Sequence, residues 1–539
     1  MKINKFKFFR ILMASLIIFL LIGAFGFYKL IAVSTDSAQQ INKFLIPLYK
    51  LISKVQLIPA VLRWQAGFIW GGVIIFFIII LTLLFGRFYC SMICPLGIFQ
   101  DFVVFIRKKI FRQRKNISLI NFKNIKYFIF GIFFIFSLLG GVISVVWFAP
   151  YSIFGRFLNG INPNFYNYHA TGVAELVDGA EIKNFESFDV NKIYIITIIS
   201  TSVMLLILGI NLVSRRFFCH NLCPIGTLLG FISKKPLVRL TIIPENCIQC
   251  SKCIVNCAGD SDCLDIKHKK LNNDSCVLCM NCLTDCKSAA VRFSLKRVKT
   301  YNKISDIDDK FNNISRRQFL MALGCGGISG IIGTTLMKNN TDSETERLLK
   351  DGLMPVMPPG AKKLAEFKSR CIGCHKCVRA CPTNVLQVAT FNYGGISSIF
   401  LPYLDFDAGM CNNFCVKCVN ACPTSALQSF LPEKRKLLKI GRVKYNQDIC
   451  VVETNHKACG ACAEHCPTGA IEMVEFSDGL TIPKVNDKYC IGCGACQNIC
   501  PVLPVKAITV AGVAEQKIIV EKPEEVVFEK IVHEEEFPF

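Results

Sequence analysis

Residues 371–382 read CIGCHKCVRACP, and this spacing of four cysteines decides the fold of much of the chain. Two residues separate each of the first three cysteines, and the fourth follows after three more residues and precedes a proline. Six runs share this spacing with small changes, and they contain most of the 30 cysteines. Thiolates grouped so closely are typical of iron–sulfur ligands, whereas zinc ribbons place Cys-x-x-Cys pairs well apart. We therefore expect iron rather than zinc or structural disulfides.

The six runs form three pairs, and a crossover between the runs of each pair predicts six 4Fe-4S clusters. In bacterial ferredoxins, three cysteines of one run share a cluster with the last cysteine of the other run. The predicted ligand sets are set 1 (Cys247, Cys250, Cys253, Cys286), set 2 (Cys257, Cys276, Cys279, Cys282), set 3 (Cys371, Cys374, Cys377, Cys422), set 4 (Cys381, Cys411, Cys415, Cys418), set 5 (Cys466, Cys490, Cys493, Cys496) and set 6 (Cys450, Cys459, Cys462, Cys500). Sets 1 and 2 depart from the pattern because Ala258 and Lys287 replace the usual proline, and set 6 departs because a long spacer precedes Cys459.

Four further cysteines lie in two matching motifs, YCSMICPLG at 89–97 and FCHNLCPIG at 218–226. We call them the paired-motif thiols: Cys90, Cys94, Cys219 and Cys223. Their repetition argues against chance. Three interpretations stay open, namely a further metal site, redox-active thiol pairs, or a role in shaping helix ends. Two other cysteines, Cys263 and Cys325, have no partner in this scheme and are interpreted as spare thiols.

Five apolar stretches are about long enough to cross a bilayer, namely 11–33, 66–85, 127–149, 193–213 and 319–337. Lys and Arg cluster before the first stretch, after the second and fourth, and before the fifth, so the positive-inside rule places all these ends in the cytoplasm. The sequence therefore predicts a multi-pass protein of the cytoplasmic membrane. The net charge of +23 is explained by these loops, and no nucleic-acid partner is expected.

The predicted fold class is an all-α transmembrane bundle combined with α+β modules of the bacterial-ferredoxin type, each holding two 4Fe-4S clusters. One module is expected in the cytoplasm and two in the periplasm. The predicted domains are 1–235 (membrane domain with four transmembrane helices and both C-x-x-x-C-P motifs), 236–300 (cytoplasmic module), 301–340 (linker and fifth transmembrane helix), 341–430 and 431–513 (periplasmic modules) and 514–539 (acidic tail).

The stretch SRRQFLMALG at 315–324 resembles a twin-arginine export signal. Clusters are assembled in the cytosol, so a domain that works outside has to cross the membrane already folded, and the twin-arginine translocase is an expected partner. The plain alternative is a helix start with positive-inside charges. A signal so far from the N-terminus suggests two proteins joined end to end.

The order of these motifs resembles a fusion of the NapH and NapG types, the membrane quinol dehydrogenase subunits of periplasmic nitrate reductase systems. Residues 1–300 resemble the NapH type, with four spans, two C-x-x-x-C-P motifs and a two-cluster module. Residues 315–539 resemble the NapG type, with a twin-arginine segment and sixteen ligand cysteines. The resemblance implies that quinol from the membrane pool is the substrate. It also implies a periplasmic c-type cytochrome or reductase as acceptor, in nitrate or nitrous oxide respiration.

Two other functions fit the same motifs. A redox maintenance or assembly factor for a periplasmic metalloenzyme would explain the paired-motif thiols, which a simple electron carrier does not need. A conduit that takes cytosolic electrons outwards would explain sets 1 and 2, which lie on the cytoplasmic side. No residue of the predicted spans stands out as a catalytic quinol site.

Overall fold

A computed structural model of the chain describes residues 5–26, 47–48, 50–110, 130, 149–160, 190–234, 236–258, 263–265, 270–295, 347, 354–389, 399–477 and 479–520. Most of the third predicted span, the fifth predicted span, the twin-arginine motif, Cys325 and the end of the acidic tail lie outside these residues.

Apolar helices dominate the first 235 residues. The described helices are α1 (Lys5–Gly26), α2 (Leu57–Gln65), α3 (Ile69–Phe85), α4 (Tyr89–Met92), α5 (Pro95–Ile110), α6 (Pro150–Gly160), α7 (Val190–Val213) and α8 (Pro224–Ile232), with a π-helix at Phe218–Leu222. Among the described helices only α1 is long and apolar enough to cross a membrane, and shorter apolar helices lie at Ile69–Phe85 and Ile198–Leu212. Crossing at the second and fourth predicted spans therefore stays a prediction.

Glycine and proline set the ends of the helices around the paired motifs. Helix α3 ends at Phe85, and the next residue, Gly86, has a φ of 95°. Glycine adopts this positive φ at little cost because it has no Cβ. Helices α5 and α8 each begin with a proline, Pro95 and Pro224, directly after the second cysteine of a motif. Proline suits a first helical position because its ring fixes φ near the helical value and the first N–H has no helical partner.

The helices enclose one apolar core that also reaches the C-terminal half of the chain. Fully buried side chains include Leu21 and Phe25 of α1, Phe154 of α6 and Met204 of α7. Burying a side chain of this size stabilises the fold by about 2 kcal/mol. The same cluster contains the four paired-motif thiols and Cys374 of set 3. The helical part and the module around set 3 therefore share a continuous interior.

The module that carries sets 1 and 2 is a small α+β unit. Its elements are β1 (Arg239–Ile242), α9 (Lys252–Val255), β2 (Leu264–Asp265), β3 (Lys270–Leu271), α10 (Asn281–Asp285) and β4 (Val291–Ser294). Strands β1 and β4 pair antiparallel, with Leu240 opposite Phe293. Leu240 and Ile242 alternate with more exposed residues and pack in the same core as Cys257 and Cys276. The apolar side chains of the strands thus pack against the cysteine loops.

Sets 3 to 6 lie in two modules. Two long paired strands, Leu438–Tyr445 and Ile508–Ile518, contribute residues to the cores of both modules. The elements are α11 (Leu364–Arg370), α12 (Lys376–Ala380), β5 (Leu386–Val388), β6 (Pro402–Leu404), α13 (Lys417–Ala421), α14 (Pro432–Arg435), β7 (Leu438–Tyr445), a 3-10 helix (Gln447–Ile449), α15 (Val451–Asn455), α16 (Ala461–Glu464), β8 (Ile471–Glu475), β9 (Thr481–Val485), α17 (Ala495–Ile499) and β10 (Ile508–Ile518). The strand pairs β5 and β6, β7 and β10, and β8 and β9 are all antiparallel.

Strand β10 corrects the predicted boundary at residue 513. The strand continues to Ile518, and the side chain of buried Gln516 accepts a hydrogen bond from Gly360 N and donates to the carbonyl oxygens of Met357 and Pro358. A buried amide with three partners is well satisfied, so this contact fastens the end of the last module to the start of the preceding one. Residues 514–518 thus belong to the folded body and not to an acidic tail.

Candidate iron–sulfur centres and the thiols between them

The four cysteine loops with strict two-residue spacing share an unusual backbone. In each loop the residue before the second cysteine and the residue after it have positive φ; the pairs are Gln249 and Ser251, Leu278 and Met280, Gly373 and His375, and Gly492 and Gly494. Successive turns of this kind direct several N–H groups into one concavity, which favours an anion. Five of the eight residues are not glycine or asparagine and adopt this conformation at a cost, so the loop shape is imposed by its surroundings.

The structure brings together cysteines from both runs of each pair. The thiol of Cys257 contacts Cys279 and interacts electrostatically with Cys276 and Cys282. Corresponding interactions link Cys422 with set 3, Cys381 with set 4 and Cys466 with set 5. Cys286 of set 1 lies in the same core as Cys247 and Cys253. Cys500 of set 6 lies in the same core as the other three cysteines of its set.

These groupings fit a cluster of several irons better than a single ion. Within the described part of the chain, no group of three or more His, Cys, Asp or Glu side chains surrounds a position for one metal ion. A cubane holds its four thiolates farther apart than a tetrahedral zinc ion does. The converging thiols and the N–H-lined loops therefore suit 4Fe-4S clusters, although the assignment of each cysteine as a ligand is still a prediction.

Sets 3, 4 and 5 lie next to one another. Cys377 of set 3 interacts with Cys418 of set 4. The backbone N–H of Cys411 in set 4 donates to the carbonyl oxygen of Cys493 in set 5, with an N···O distance of 2.9 Å. A backbone hydrogen bond between two candidate ligands holds the two modules in a fixed register at this point.

Two further pairs of neighbouring sets interact, namely sets 5 and 6 and sets 1 and 2. Cys496 of set 5 interacts with Cys462 of set 6, and in the other module Cys253 of set 1 interacts with Cys282 of set 2. Sets 3 to 6 therefore form one series, and sets 1 and 2 form another.

A buried arginine that the sequence analysis did not single out contacts set 4. Arg435 is fully buried, and its Nη2 donates to the Sγ of Cys411 at 3.2 Å. Burial raises the pKa of the Cys411 thiol, and the Arg435 guanidinium opposes that rise. A buried cation beside a cluster ligand stabilises the thiolate form. No local motif marks Arg435, because it approaches Cys411 across 24 residues of chain.

Cys263, which the sequence leaves as a spare thiol outside the cluster-ligand scheme, lies beside set 2. Its side chain is buried and hydrogen-bonds with Cys257 and Cys276, two members of set 2. These contacts raise the pKa of Cys263 and help to lower the pKa of Cys276, as expected if the Cys263 S–H donates to the sulfur of Cys276. Sequence spacing did not reveal this contact because Cys263 lies outside the repeated run.

Replacing Cys263 by Ala is expected to retain the cluster at set 2 and to make its reduction potential more negative. The lost S–H donor no longer stabilises the more negative reduced state, and a hydrogen bond worth about 1 kcal/mol corresponds to about 40 mV for one electron. A redox titration followed by electron paramagnetic resonance measures the shift. Cys263→Ser keeps a donor and serves as the matched control, and equal potentials in both variants and the wild type would contradict the assignment.

The paired-motif thiols lie together inside the helical part. All four are about 5% exposed, and Cys94 interacts with Cys90, Cys219 and Cys223. Burial raises the pKa of Cys219 to about 12 and also raises the pKa of Cys94 and Cys223. The guanidinium groups of Arg216 and Arg87 oppose the rise at Cys219, but burial has the larger effect.

Helix α1 connects the neighbourhoods of set 2 and set 3. Near its start, Arg10 Nη1 donates to the carbonyl oxygen of Cys279 at 3.0 Å. Near its end, the ring of Phe25 lies under the ammonium group of Lys376, two residues from Cys374. Helical rise places these two levels about 22 Å apart. The two series of cysteine sets therefore approach opposite ends of the helical core.

A second contact fastens set 3 to the helices. Asn159 Nδ2 of α6 donates to the carbonyl oxygen of Cys374 at 3.1 Å, and Lys376 Nζ donates to Ser53 Oγ at 2.8 Å. Both donors are buried. Buried polar contacts between chain regions this far apart orient set 3 against the helical core.

Comparisons with known families agree with the cysteine geometry. The family described as "4Fe-4S dicluster domain" matches residues 370–452 and 457–503, which hold sets 3 to 6. The family described as "4Fe-4S binding domain" matches residues 67–113 and 197–242, the two segments that contain the paired motifs. No solved structure matches the chain.

Curated relatives share the same character. The ferredoxin-type protein NapF of Haemophilus influenzae is 30% identical over 191 residues, which cover 35% of this chain and 91% of NapF. The methylamine utilization ferredoxin-type protein MauM of Methylobacillus flagellatus is 28% identical over 38% of this chain and 86% of MauM. The ferredoxin-type protein NapG of Escherichia coli is 31% identical over 28% of this chain and 68% of NapG. The chain thus belongs to the ferredoxin-type iron–sulfur proteins, a family of 4Fe-4S electron carriers with members named NapF, NapG and MauM.

Proposed function

We propose that the protein is a membrane-bound quinol dehydrogenase that passes electrons from the quinol pool to a periplasmic c-type cytochrome or reductase. The observation that carries this proposal is the series of sets 3 to 6, which begins against the helical core at Cys374 and ends at set 6. The helix α16, which carries Cys462 of set 6, has no buried residue. An electron acceptor can therefore approach the far end of the series while the near end faces the helices.

Exposed apolar side chains support a lipid environment for the helices. Large apolar residues are exposed along α1, α3, α5 and α7, and examples are Phe19, Trp70, Phe105 and Leu206, which are 62, 71, 65 and 63% exposed. Exposed apolar surface on several helices of one protein marks a membrane or protein contact. We propose that these surfaces face lipid and that sets 1 and 2 lie on the cytoplasmic side. Sets 3 to 6 then work in the periplasm, after export of their modules by the twin-arginine translocase.

A cavity between α2 and α3 is the candidate quinol site. It has a volume of about 400 Å³ and is lined by Trp64, Gly67, Ile69, Gly72, Val73 and Phe76. The apolar lining suits a quinol ring and its isoprenoid chain. Arg63, the neighbour of Trp64 in sequence, interacts electrostatically with Cys422 of set 3. The end of α2 that borders the cavity is therefore near set 3.

Oxidation of one quinol to quinone releases two electrons and two protons. Bound 4Fe-4S clusters supply carriers that take up and release one electron at a time. The residues around the cavity bind and orient the quinol, and the two protons leave to the aqueous phase. The cysteine loops hold the thiols in position. Arg435 favours the thiolate form of Cys411 because its guanidinium opposes the rise in the pKa of that thiol.

Filling the cavity is expected to slow quinol oxidation. A Cβ at Gly72 would lie 3.0 Å from the indole of Trp64, so Gly72→Leu places a branched side chain in the cavity. We expect the rate of cluster reduction by a short-chain quinol to fall about tenfold, because the ring no longer reaches its position. Stopped-flow absorbance of the purified protein under anaerobic conditions measures this rate. Reduction of the clusters by dithionite should be unchanged.

Phe77→Leu is the matched control for this experiment. Phe77 lies on the same helix, is 60% exposed and does not line the cavity. Its substitution should leave the rate unchanged. If quinol reduces no cluster in the wild type, the proposed dehydrogenase function fails; if it reduces clusters equally fast in Gly72→Leu, only the location of the quinol site fails.

A cytosolic electron conduit is the second candidate function, and the contact between Arg10 and Cys279 favours it. Because α1 joins the neighbourhoods of sets 2 and 3, electrons that enter at set 1 have a structural connection to the periplasmic side. Cys250 of set 1 is exposed and accessible to a soluble donor. Cys250→Ala should abolish reduction of sets 3 to 6 by such a donor and leave quinol oxidation intact; the reverse pattern would exclude the conduit.

A further inference from the structure

One stretch of the chain carries positive charge and no negative charge. Residues 37–100 contain no Asp or Glu. Four cations lie in the first part of this stretch, 37–65, namely Lys43, Lys50, Lys54 and Arg63. This part lies beside set 3, on the side that we propose as periplasmic, because Lys376 donates to Ser53. The positive-inside rule disfavours Lys and Arg on that side, so membrane topology does not account for these charges.

Three of the four cations lie close together, and Lys43 lies outside the described residues. Lys50 and Lys54 are one turn apart on a short helix at residues 50–54. Burial lowers the pKa of Lys54, and the nearby charges of Arg63 and Lys50 lower it further. No ion pair of these three side chains is found in the described part of the chain. Like charges held together in this way repel one another, and an anion between them would remove that cost.

The neighbouring elements supply no carboxylate. Helices α2, α6 and α12, which meet around this region, contain no Asp or Glu. Set 3 is a counter-charge for Arg63 and Lys376, because both interact electrostatically with its cysteines. Lys54 differs from them, since the charged groups that shift its pKa are both cations. A further anion is therefore expected on the side of Lys54 and Lys50.

The turn between α2 and α3 holds Arg63 in a fixed place. A Cβ at Gly71 would lie 2.6 Å from the carbonyl oxygen of Ala60, so the backbones of the two helices are in direct contact. The guanidinium of Arg63 lies over the ring of Phe68, 5.5 Å from its centroid. Arg63 is thus positioned at the point where α3, one of the helices proposed to contact lipid, begins.

Exposed apolar side chains surround these cations. Leu51, between the two lysines, is more than half exposed, and so are Trp64 and Trp70 on either side of the turn. Tryptophan is enriched where a membrane meets water. Basic residues that alternate with exposed apolar ones are typical of segments that lie in this interface and attract anionic lipids. The surroundings therefore favour a lipid head group over a soluble anion.

We propose that Lys50, Lys54 and Arg63 bind the phosphate group of an anionic phospholipid, with Trp64 and Trp70 at the level of its head group. Charge-assisted hydrogen bonds from ammonium and guanidinium groups suit phosphate oxygens. Because Trp64 also lines the candidate quinol cavity, the head group lies beside that cavity. The proposal rests on the proposed lipid environment of the helices and does not depend on quinol oxidation.

Native mass spectrometry of the full chain in detergent tests the site with added phosphatidylglycerol and phosphatidylcholine. We expect the wild type to bind phosphatidylglycerol more tightly, and we expect Lys50→Gln/Lys54→Gln to weaken that binding about tenfold. Lys484→Gln/Lys488→Gln is the matched control, because it removes the same charge from two exposed lysines of the last module. Equal affinity for the two lipids would overturn the proposal, and so would equal losses in the two double variants.

Inorganic phosphate separates a lipid site from a site for a free anion. A large excess of it should leave phosphatidylglycerol bound, because the lipid chains also contact the apolar surface of α3. Displacement of the lipid by inorganic phosphate would overturn the assignment to a phospholipid.

Tryptophan fluorescence of the wild type locates the lipid without any substitution. Two of the three tryptophans of the chain, Trp64 and Trp70, lie at the proposed site. Brominated phosphatidylglycerol should therefore quench more fluorescence than brominated phosphatidylcholine, and equal quenching would overturn the location. These measurements use the oxidised protein without quinol, so their failure is distinguishable from a failure of the dehydrogenase function.

Discussion

Replacing Cys418 by Ala is expected to stop electrons from reaching set 6 while set 3 is still reduced by quinol. Cys418 belongs to set 4, which the structure places between set 3, through Cys377, and set 5, through Cys411 and Cys493. Electron transfer weakens exponentially with distance, so the loss of one intermediate centre should lower the rate of reduction of set 6 at least 100-fold. Freeze-quench paramagnetic resonance after mixing with quinol measures the reduction of each set separately.

Cys459→Ala in set 6 is the matched control, because it also removes one thiol ligand but at the end of the series. Sets 3, 4 and 5 should then be reduced at the wild-type rate, and only delivery to the external acceptor should fail. If set 6 is reduced normally in Cys418→Ala, the series is not the route of the electrons. The comparison therefore separates a path through set 4 from a general loss of iron.

Local features of the candidate site can be predicted from the sequence because a cluster loop is a local structure, whereas the ligand role of each cysteine stays a prediction. Two-residue spacing forces the chain around one centre, and the positive φ values at Gly373 and His375 recur at the matching positions Leu278 and Met280. The crossover between runs is also visible in sequence, since it follows from the repeated pattern. The structure accordingly places Cys257 beside Cys276 and Cys279.

Contacts between distant parts of the chain were beyond a pattern-based prediction. The apolar stretch predicted as the first span begins at residue 11, and helix α1 already begins at Lys5. Hydropathy excludes charged residues from a span, but Lys7 and Arg10 are helical here and donate hydrogen bonds to the module that carries set 2. Likewise, Arg87 donates a hydrogen bond to the carbonyl oxygen of Cys219, and Arg216 donates one to that of Cys90. These contacts join residues more than 100 positions apart, so no local spacing reveals them.

Asp101→Asn is expected to lower the free energy of unfolding of the helical core by about 3 kcal/mol, because it leaves the guanidinium groups of Arg10 and Arg216 buried without a counter-charge. Although burial opposes it, Arg216 and Arg10 keep the pKa of Asp101 below its ordinary value, so this stabilisation is present at neutral pH and is lost as the pH falls through the lowered pKa. Thermal unfolding of the purified protein in detergent measures the loss. Glu515→Gln is the control, since its ion pair with Lys363 is largely exposed and its removal should cost about 0.5 kcal/mol at most. Equal losses in the two variants would show that the buried triad does not hold the helices to the module of set 2.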